Sequence, residues 1–240
     1  MELLQLFSRP LSLGREVATK KIIKQFARKF GFVYFGYVNQ REDEHELIRG
    51  ITVSSTHVDK HFCVGDYKGH DISIVERRNT LIYPEQPPVS YRWLIMQVDL
   101  RRDGLPHVFI DGNHHDENFY MTLFMKFANM SNTSTVFGST NPLFARTFRT
   151  FAPADRFDEV EAMLRGDTAS MLAHHFKQFD YEIDGDRLLI YAENPTVTSH
   201  VLHEMLRVGQ WLAGQLDKAS LELVPVIHAP AGAEQLDEAS

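Results

Sequence analysis

Apolar and polar positions along this chain follow two periods, and the switches between them outline the elements. Over about residues 12–29 the spacing predicts a helix. Its apolar face runs through Ile23, Phe26, Ala27 and Phe30, at i, i+3, i+4 and i+7. Strand patterns follow, rich in aromatic and β-branched residues: 32–38, a weaker 47–54, 62–67, 70–76, 93–100, 105–110, 179–183 and 187–191. Three two-residue reversals sit between neighbouring runs: Lys68-Gly69, Asp103-Gly104 and Asp184-Gly185. Glycine accepts the positive φ that tight hairpin turns demand, so each predicts a hairpin.

The second half returns to the helical period. Helices are predicted over 116–127, 156–164, 168–178 and 199–217. Val201, Met205, Val208, Leu212 and Leu216 give the last one a continuous apolar stripe. The expected architecture is α+β: a mainly antiparallel sheet built from hairpins, flanked by helices, with the long C-terminal helix across the sheet. Residues 1–220 read as a single α+β domain, with a division into halves of about 1–130 and 141–220 left open. The polar stretch 130–140 is the candidate boundary. Residues 221–240 carry two prolines, small residues and acids, and read as a flexible tail.

Charge adds an asymmetry to this picture. The net charge over 240 residues is −7, against general nucleic-acid binding. Residues 1–30 hold seven basic and two acidic side chains, a local +5, so the remainder carries −12. Lys20, Lys21, Lys24 and Arg28 on the first helix make a candidate surface for an anionic membrane or a protein partner. The plain alternative is a helix packed on the sheet with a solvated basic back. No apolar run reaches about 18 residues, so no transmembrane segment is expected. The N-terminus lacks the features of a secretion signal, and the expected location is the cytoplasm. With Cys63 as the single cysteine, an intrachain disulfide and a cysteine zinc cluster are excluded.

Titratable chemistry concentrates in residues 107–117, HVFIDGNHHDE. His107, His114 and Glu117 are candidate metal ligands, His114 and Glu117 sharing one face at i, i+3. Helix capping explains much of the same segment, with Asn113 as N-cap and Asp116 and Glu117 in the first turn. His57, Asp59 and His61 alternate as on one face of a strand and form a second metal candidate. His200, His203 and Glu204 do not fall in either zinc-peptidase order. Cys63 lies in a strand-like apolar run and reads as buried and inert. The common nucleophile and phosphate-loop motifs are missing. No cofactor is predicted, and a divalent metal remains open.

Residues 141–194 resemble part of a bacterial family of unknown function. The resemblance rests on Asn141, Pro142, Phe144, Phe148, Glu159, Leu164, Leu189, Ile190 and Tyr191. It implies a short strand, an acidic helix, a second helix and a hairpin ending in an aliphatic-Tyr pair. The stretches CVGDYKGHDISIVERR and WLIMQVDL resemble that family's earlier strands. The leading functional expectation is a non-enzymatic cytoplasmic binding or scaffold protein of unknown ligand, peripheral to a membrane through the basic helix. The alternatives are a metal-dependent hydrolase on His107, His114 and Glu117, and a small-molecule binder with a cavity between sheet and C-terminal helix.

Overall fold

The computed structural model describes residues 3–37, 48–54, 56–82, 87–124, 129–135 and 137–222. Helix α1 (Leu3–Phe30) ends where Gly31 takes φ 77° and turns the chain into β1 (Val33–Tyr37). Strands β2 (Val58–Tyr67), β3 (His70–Leu81), β4 (Val89–Asp99) and β5 (Leu105–Asp111) follow. Next come α2 (Glu117–Phe124), β6 (Met130–Asn132), α3 (Phe137–Thr140), α4 (Pro142–Thr147) and β7 (Arg149–Pro153). A 3-10 turn leads to α5 (Phe157–Met163) and α6 (Asp167–His175), then β8 (Asp180–Gly185), β9 (Arg187–Glu193) and α7 (Ser199–Glu222).

These strands form one nine-stranded sheet in the order β1-β2-β3-β4-β9-β8-β5-β7-β6. Every neighbouring pair is antiparallel. The α+β architecture expected from the periodicity is therefore the one observed. Two of the three glycine reversals close hairpins. Lys68 and Gly69 both take positive φ, 54° and 80°, as a tight two-residue turn requires, and Gly185 takes 63° in the turn joining β8 to β9.

Asp103-Gly104 behaves differently from expectation. β4 and β5 are not partners, because the β8–β9 hairpin is inserted between them. Residues 100–104 pass over the tip of that hairpin: Leu100 N–H donates to Asp186 O at 2.7 Å, and Leu105 pairs with Gly185. Strands from early and late in the chain are thus interleaved in one sheet. Residues 130–140 are not a loop between halves; they contribute β6, paired to β7 at the sheet's far edge, and α3. Residues 48–54 form no strand, although Ile48 and Ile51 are buried. Most of the 221–240 stretch lies outside the described residues.

Both sheet faces are covered. On one lie α1, α5, α6 and α7 with α4, burying Ile23, Phe26, Leu172, Met205, Val208 and Leu212 against Ile74, Met96 and Ile190. The long C-terminal helix crosses β4 and β9, as expected. Gly209 sets its closeness: a Cβ there would stand 2.9 Å from Ile190 Cδ1 and 3.0 Å from Val98 Cγ2. Val208 and Leu212 flank it with no exposed surface. On the opposite face, residues 48–52 and α2 cover Val75, Trp93, Ile95 and Phe109.

Candidate functional site

The histidine- and acid-rich segment builds a structural pin. Asp111 ends β5 fully buried and gathers donors from four groups. Asn113 N–H and His115 N–H reach it at 2.8 and 3.0 Å, His115 Nδ1 at 3.1 Å, and the Tyr120 hydroxyl completes the set. His115 Nε2 meets Glu193 at the end of β9 at 2.8 Å, and its ring stacks on Phe119 at 3.7 Å. Burial opposes charge on His115, but the bonds to Asp111 and Glu193 override it and raise the imidazole to about 9. Burial also opposes charge on Asp111, yet the bonds from His115 and Tyr120 hold its carboxyl down. Asp180 is pushed the other way, by its complete burial and by the neighbouring Asp111 charge. His115 is therefore an imidazolium held between two carboxylates. It joins β5, α2 and β9 and has no free lone pair for metal or base chemistry.

The predicted metal ligands from this segment go elsewhere. His107 Nε2 bonds Glu182 at 2.8 Å, a buried acid that also accepts from Ile51 N–H at 2.9 Å and from the Tyr191 hydroxyl. His114 takes φ 55° and bonds the Thr147 carbonyl at 2.9 Å. Glu117 is exposed in the first turn of α2. His107, His114 and Glu117 are not brought together. The cap of α2 is Asp116, whose Oδ1 accepts from Phe119 N–H at 2.9 Å. Asn113, the expected cap, instead gives its side-chain amide to Asp180 at 2.8 Å.

His57, Asp59 and His61 also part company. The β2–β3 register shifts between Lys60 and Cys63, and His61 takes φ 60°. This bulge turns Lys60 and His61 to the α1 side, while Asp59 points to the other face. There Asp59 receives Arg77 Nε and Nη2 at 2.8 and 2.7 Å. His61 Nδ1 meets Tyr34 Oη at 2.8 Å, and His57 turns back on Ser54. Among the described residues no group of three His, Cys, Asp or Glu is placed to hold a metal ion.

What remains as a candidate site is the exposed basic end formed by α1 and the β1 edge. At 3.6 residues per turn Lys20, Lys21, Lys24 and Arg28 fall within an arc of about 100°. All four are exposed, while Ile23, Phe26 and Ala27 on the other side are buried. β1 is the terminal strand, and it leaves Val33, Phe35 and Tyr37 exposed by 56, 58 and 68%. Between α1 and β1 runs a groove of about 420 Å³ lined by Val17, Lys20, Tyr34, Tyr37, Lys60 and His61 among others. The charge pattern of the first thirty residues signalled the basic arc. The Asp111–His115 spacing of four was also readable, but Glu193 lies 78 residues from His115 and gave no local signal.

No family model matches the chain, and no curated protein matches it. Among solved structures, the crystal structure of the mycobacterial trehalose monomycolate transport factor A, TtfA, superposes with a TM-score of 0.57 at 12% identity. The match covers 86% of this chain and 96% of that one. It is a likeness of fold. The elements implied by the resemblance over 141–194 are present in order: β7, α5, α6 and the β8–β9 hairpin. No helix among the described residues is long and apolar enough to cross a membrane.

Proposed function

We propose that this chain is a non-enzymatic binding or scaffold protein that docks on an anionic membrane surface. The observation that carries the reading is the two-sided α1: its apolar side is sealed onto the sheet, and its basic arc faces outward beside the exposed aromatic edge of β1. A helix fixed in this way lies along a surface and does not insert. Each basic side chain near an anionic leaflet contributes about 1 kcal/mol, so four supply roughly 4 kcal/mol, about a thousandfold in partitioning. Tyr37, which lines the groove beside α1, adds a ring suited to the headgroup level. The buried histidine and acid networks favour architecture over catalysis. TtfA, the protein whose fold this chain resembles, is a transport factor, which is in keeping with a role in binding.

Co-sedimentation with vesicles of phosphatidylserine and phosphatidylcholine tests this. Binding is expected on the anionic vesicles, lost in about 0.5 M salt where the screening length falls to a few ångströms. It is also expected to be lost in the triple variant Lys20→Glu, Lys21→Glu, Lys24→Glu. Equal binding to neutral vesicles, or none to anionic ones, overturns it.

A further inference from the structure

On the α1 face of the sheet, β3 reads Ile72, Ile74, Glu76, Arg78, Thr80, and β4 opposite it reads Val98, Met96, Leu94, Arg92, Ser90. The inner part of both rows is core. The outer part is not: Arg78 stands directly opposite Arg92, and Thr80 opposite Ser90. Like charges opposed across an antiparallel pair are destabilising, so this arrangement asks for an anion.

The space in front of these residues is a cavity of about 800 Å³. Arg15, Lys60, Arg78 and Arg92 converge on it, with hydroxyls from Thr56 and Ser90. The architecture holds the cations in place. Arg15 donates to the Pro195 carbonyl at 2.9 Å, and Arg92 donates to the same oxygen. Asn194 positions that carbonyl through paired bonds with Arg92, 2.6 Å from its own N–H and 3.0 Å to its Oδ1.

The cations are under-neutralised. Glu76 lies 3.5 Å from Arg78 and from Arg92, but it is 1% exposed and one of its oxygens has no hydrogen-bond partner among the described residues. Its burial pushes the carboxyl up, toward the neutral form. Glu16 holds Lys60 at 2.8 Å. Among the described residues no carboxylate lines the cavity, and the Arg78 Nε is buried without a partner. Even with both nearby carboxylates ionised, the four cations keep an excess of two positive charges, the charge of a phosphomonoester dianion.

We infer that this cavity is a binding site for a phosphate ester, its oxygens held by Arg15, Arg78 and Arg92 and its organic part lodged in the remaining space. The volume exceeds what a bare phosphate fills and falls in the usual range for small-molecule sites. Guanidinium forks match phosphate oxygens in a way that lysine does not. The ester can arrive as a lipid headgroup or as a soluble sugar or glycerol phosphate. The site does not rest on the membrane reading, because none of Lys20, Lys21, Lys24 or Arg28 lines it.

The test is calorimetric titration of the whole chain with glycerol 3-phosphate, inorganic phosphate and glycerol, in wild type, Arg78→Gln and Arg15→Gln. The two arginines are partly or fully exposed, so both variants are expected to fold, and circular dichroism checks this. Saturable binding of glycerol 3-phosphate, none of glycerol, and a loss of about tenfold to a hundredfold in each variant are expected. A parallel arm uses vesicles containing phosphatidic acid. If the ester is a headgroup, glycerol 3-phosphate displaces the protein and Arg78→Gln weakens binding. If it is soluble, vesicle binding is unchanged by Arg78→Gln while the titration still responds. No saturation in wild type, or the same affinity in both variants as in wild type, overturns the site. Vesicle binding that survives such a failure leaves the surface reading standing.

Discussion

Arg77 and Asp59 face each other across β2 and β3 as a two-pronged ion pair with both side chains removed from solvent, 0 and 2% exposed. Arg77 also donates to the carbonyls of Ile48 and Arg49 and to the Thr52 hydroxyl, so one guanidinium secures the strandless segment 48–52 to the sheet. Removing one partner strands the other charge in the core. Asp59→Ala is expected to lower unfolding free energy by about 3–5 kcal/mol in urea titrations. Replacing both, as Asp59→Leu with Arg77→Met, is expected to cost less than that single change. Hydrogen exchange at 48–52 should rise in every variant that lacks Arg77. A single-variant cost below about 1 kcal/mol means the pair is not buried as described.

The His115 pin makes stability depend on alkaline pH. Its imidazole is raised in the fold from 6.5 to about 9. Its stabilising contribution is therefore complete below about pH 6.5 and fades as pH rises through 9. That difference corresponds to about 3 kcal/mol. Asp111 is shifted down in the fold, so its contribution is present above the ordinary carboxylate range and disappears in strong acid. Asp180 is raised, and works against the native state once pH climbs far enough to ionise it. Denaturant titrations should show His115→Gln costing most near pH 6 and little by pH 10. A pH-independent cost shows that His115 acts by shape alone, through its stack on Phe119.

The same pin shows where sequence reading succeeds and where it stops. Local periodicity found α1, α2, α5, α6, α7 and most strands, because burying one face imposes a repeat of 3.6 or 2 on neighbouring residues; the short α3 and α4 were missed. It located the apolar sides of α1 and α7 by residue. Pairing is another matter. Asp103-Gly104 and Asp184-Gly185 are the same dipeptide between apolar runs, yet only the second closes a hairpin, because the first bridges over the second. No residue near Asp103 encodes that. His57, Asp59 and His61 misled for a related reason: one bulge inverts every later side chain in the strand. The basic arc was legible as a run of charge. The cavity with Arg78 and Arg92 was not, since it depends on register between strands.

Gly209 permits the contact between α7 and the sheet. Elsewhere in a helix, glycine is a weakness of about 1 kcal/mol against alanine. Here the neighbours Ile190 Cδ1 and Val98 Cγ2 lie inside normal contact of any added Cβ. Gly209→Leu should push the helix outward and cost about 1–3 kcal/mol or more. Thermal unfolding measures the loss, and near-ultraviolet circular dichroism reads the disturbed packing. A Gly209→Leu variant as stable as wild type would place α7 farther from β4 and β9.

Cys63 offers a probe of how α1 behaves on a surface. The thiol is fully buried in the cluster that holds Ile23, Phe26 and Phe32, and burial pushes it up to about 12. Both exposure and ionisation oppose alkylation, since the thiolate is the reactive form. In the free protein at neutral pH, iodoacetamide should label Cys63 only after urea unfolds the chain. If α1 docks on anionic vesicles by its basic arc, its apolar side stays on the sheet, and labelling should remain as slow with vesicles as without. If the helix instead peels off to bury Ile23 and Phe26 in lipid, Cys63 loses its cover and labelling should accelerate severalfold or more. The two modes share every charge and differ only in which apolar contacts survive. The rate at one buried sulfur therefore separates a folded surface-binding protein from one that opens to bind.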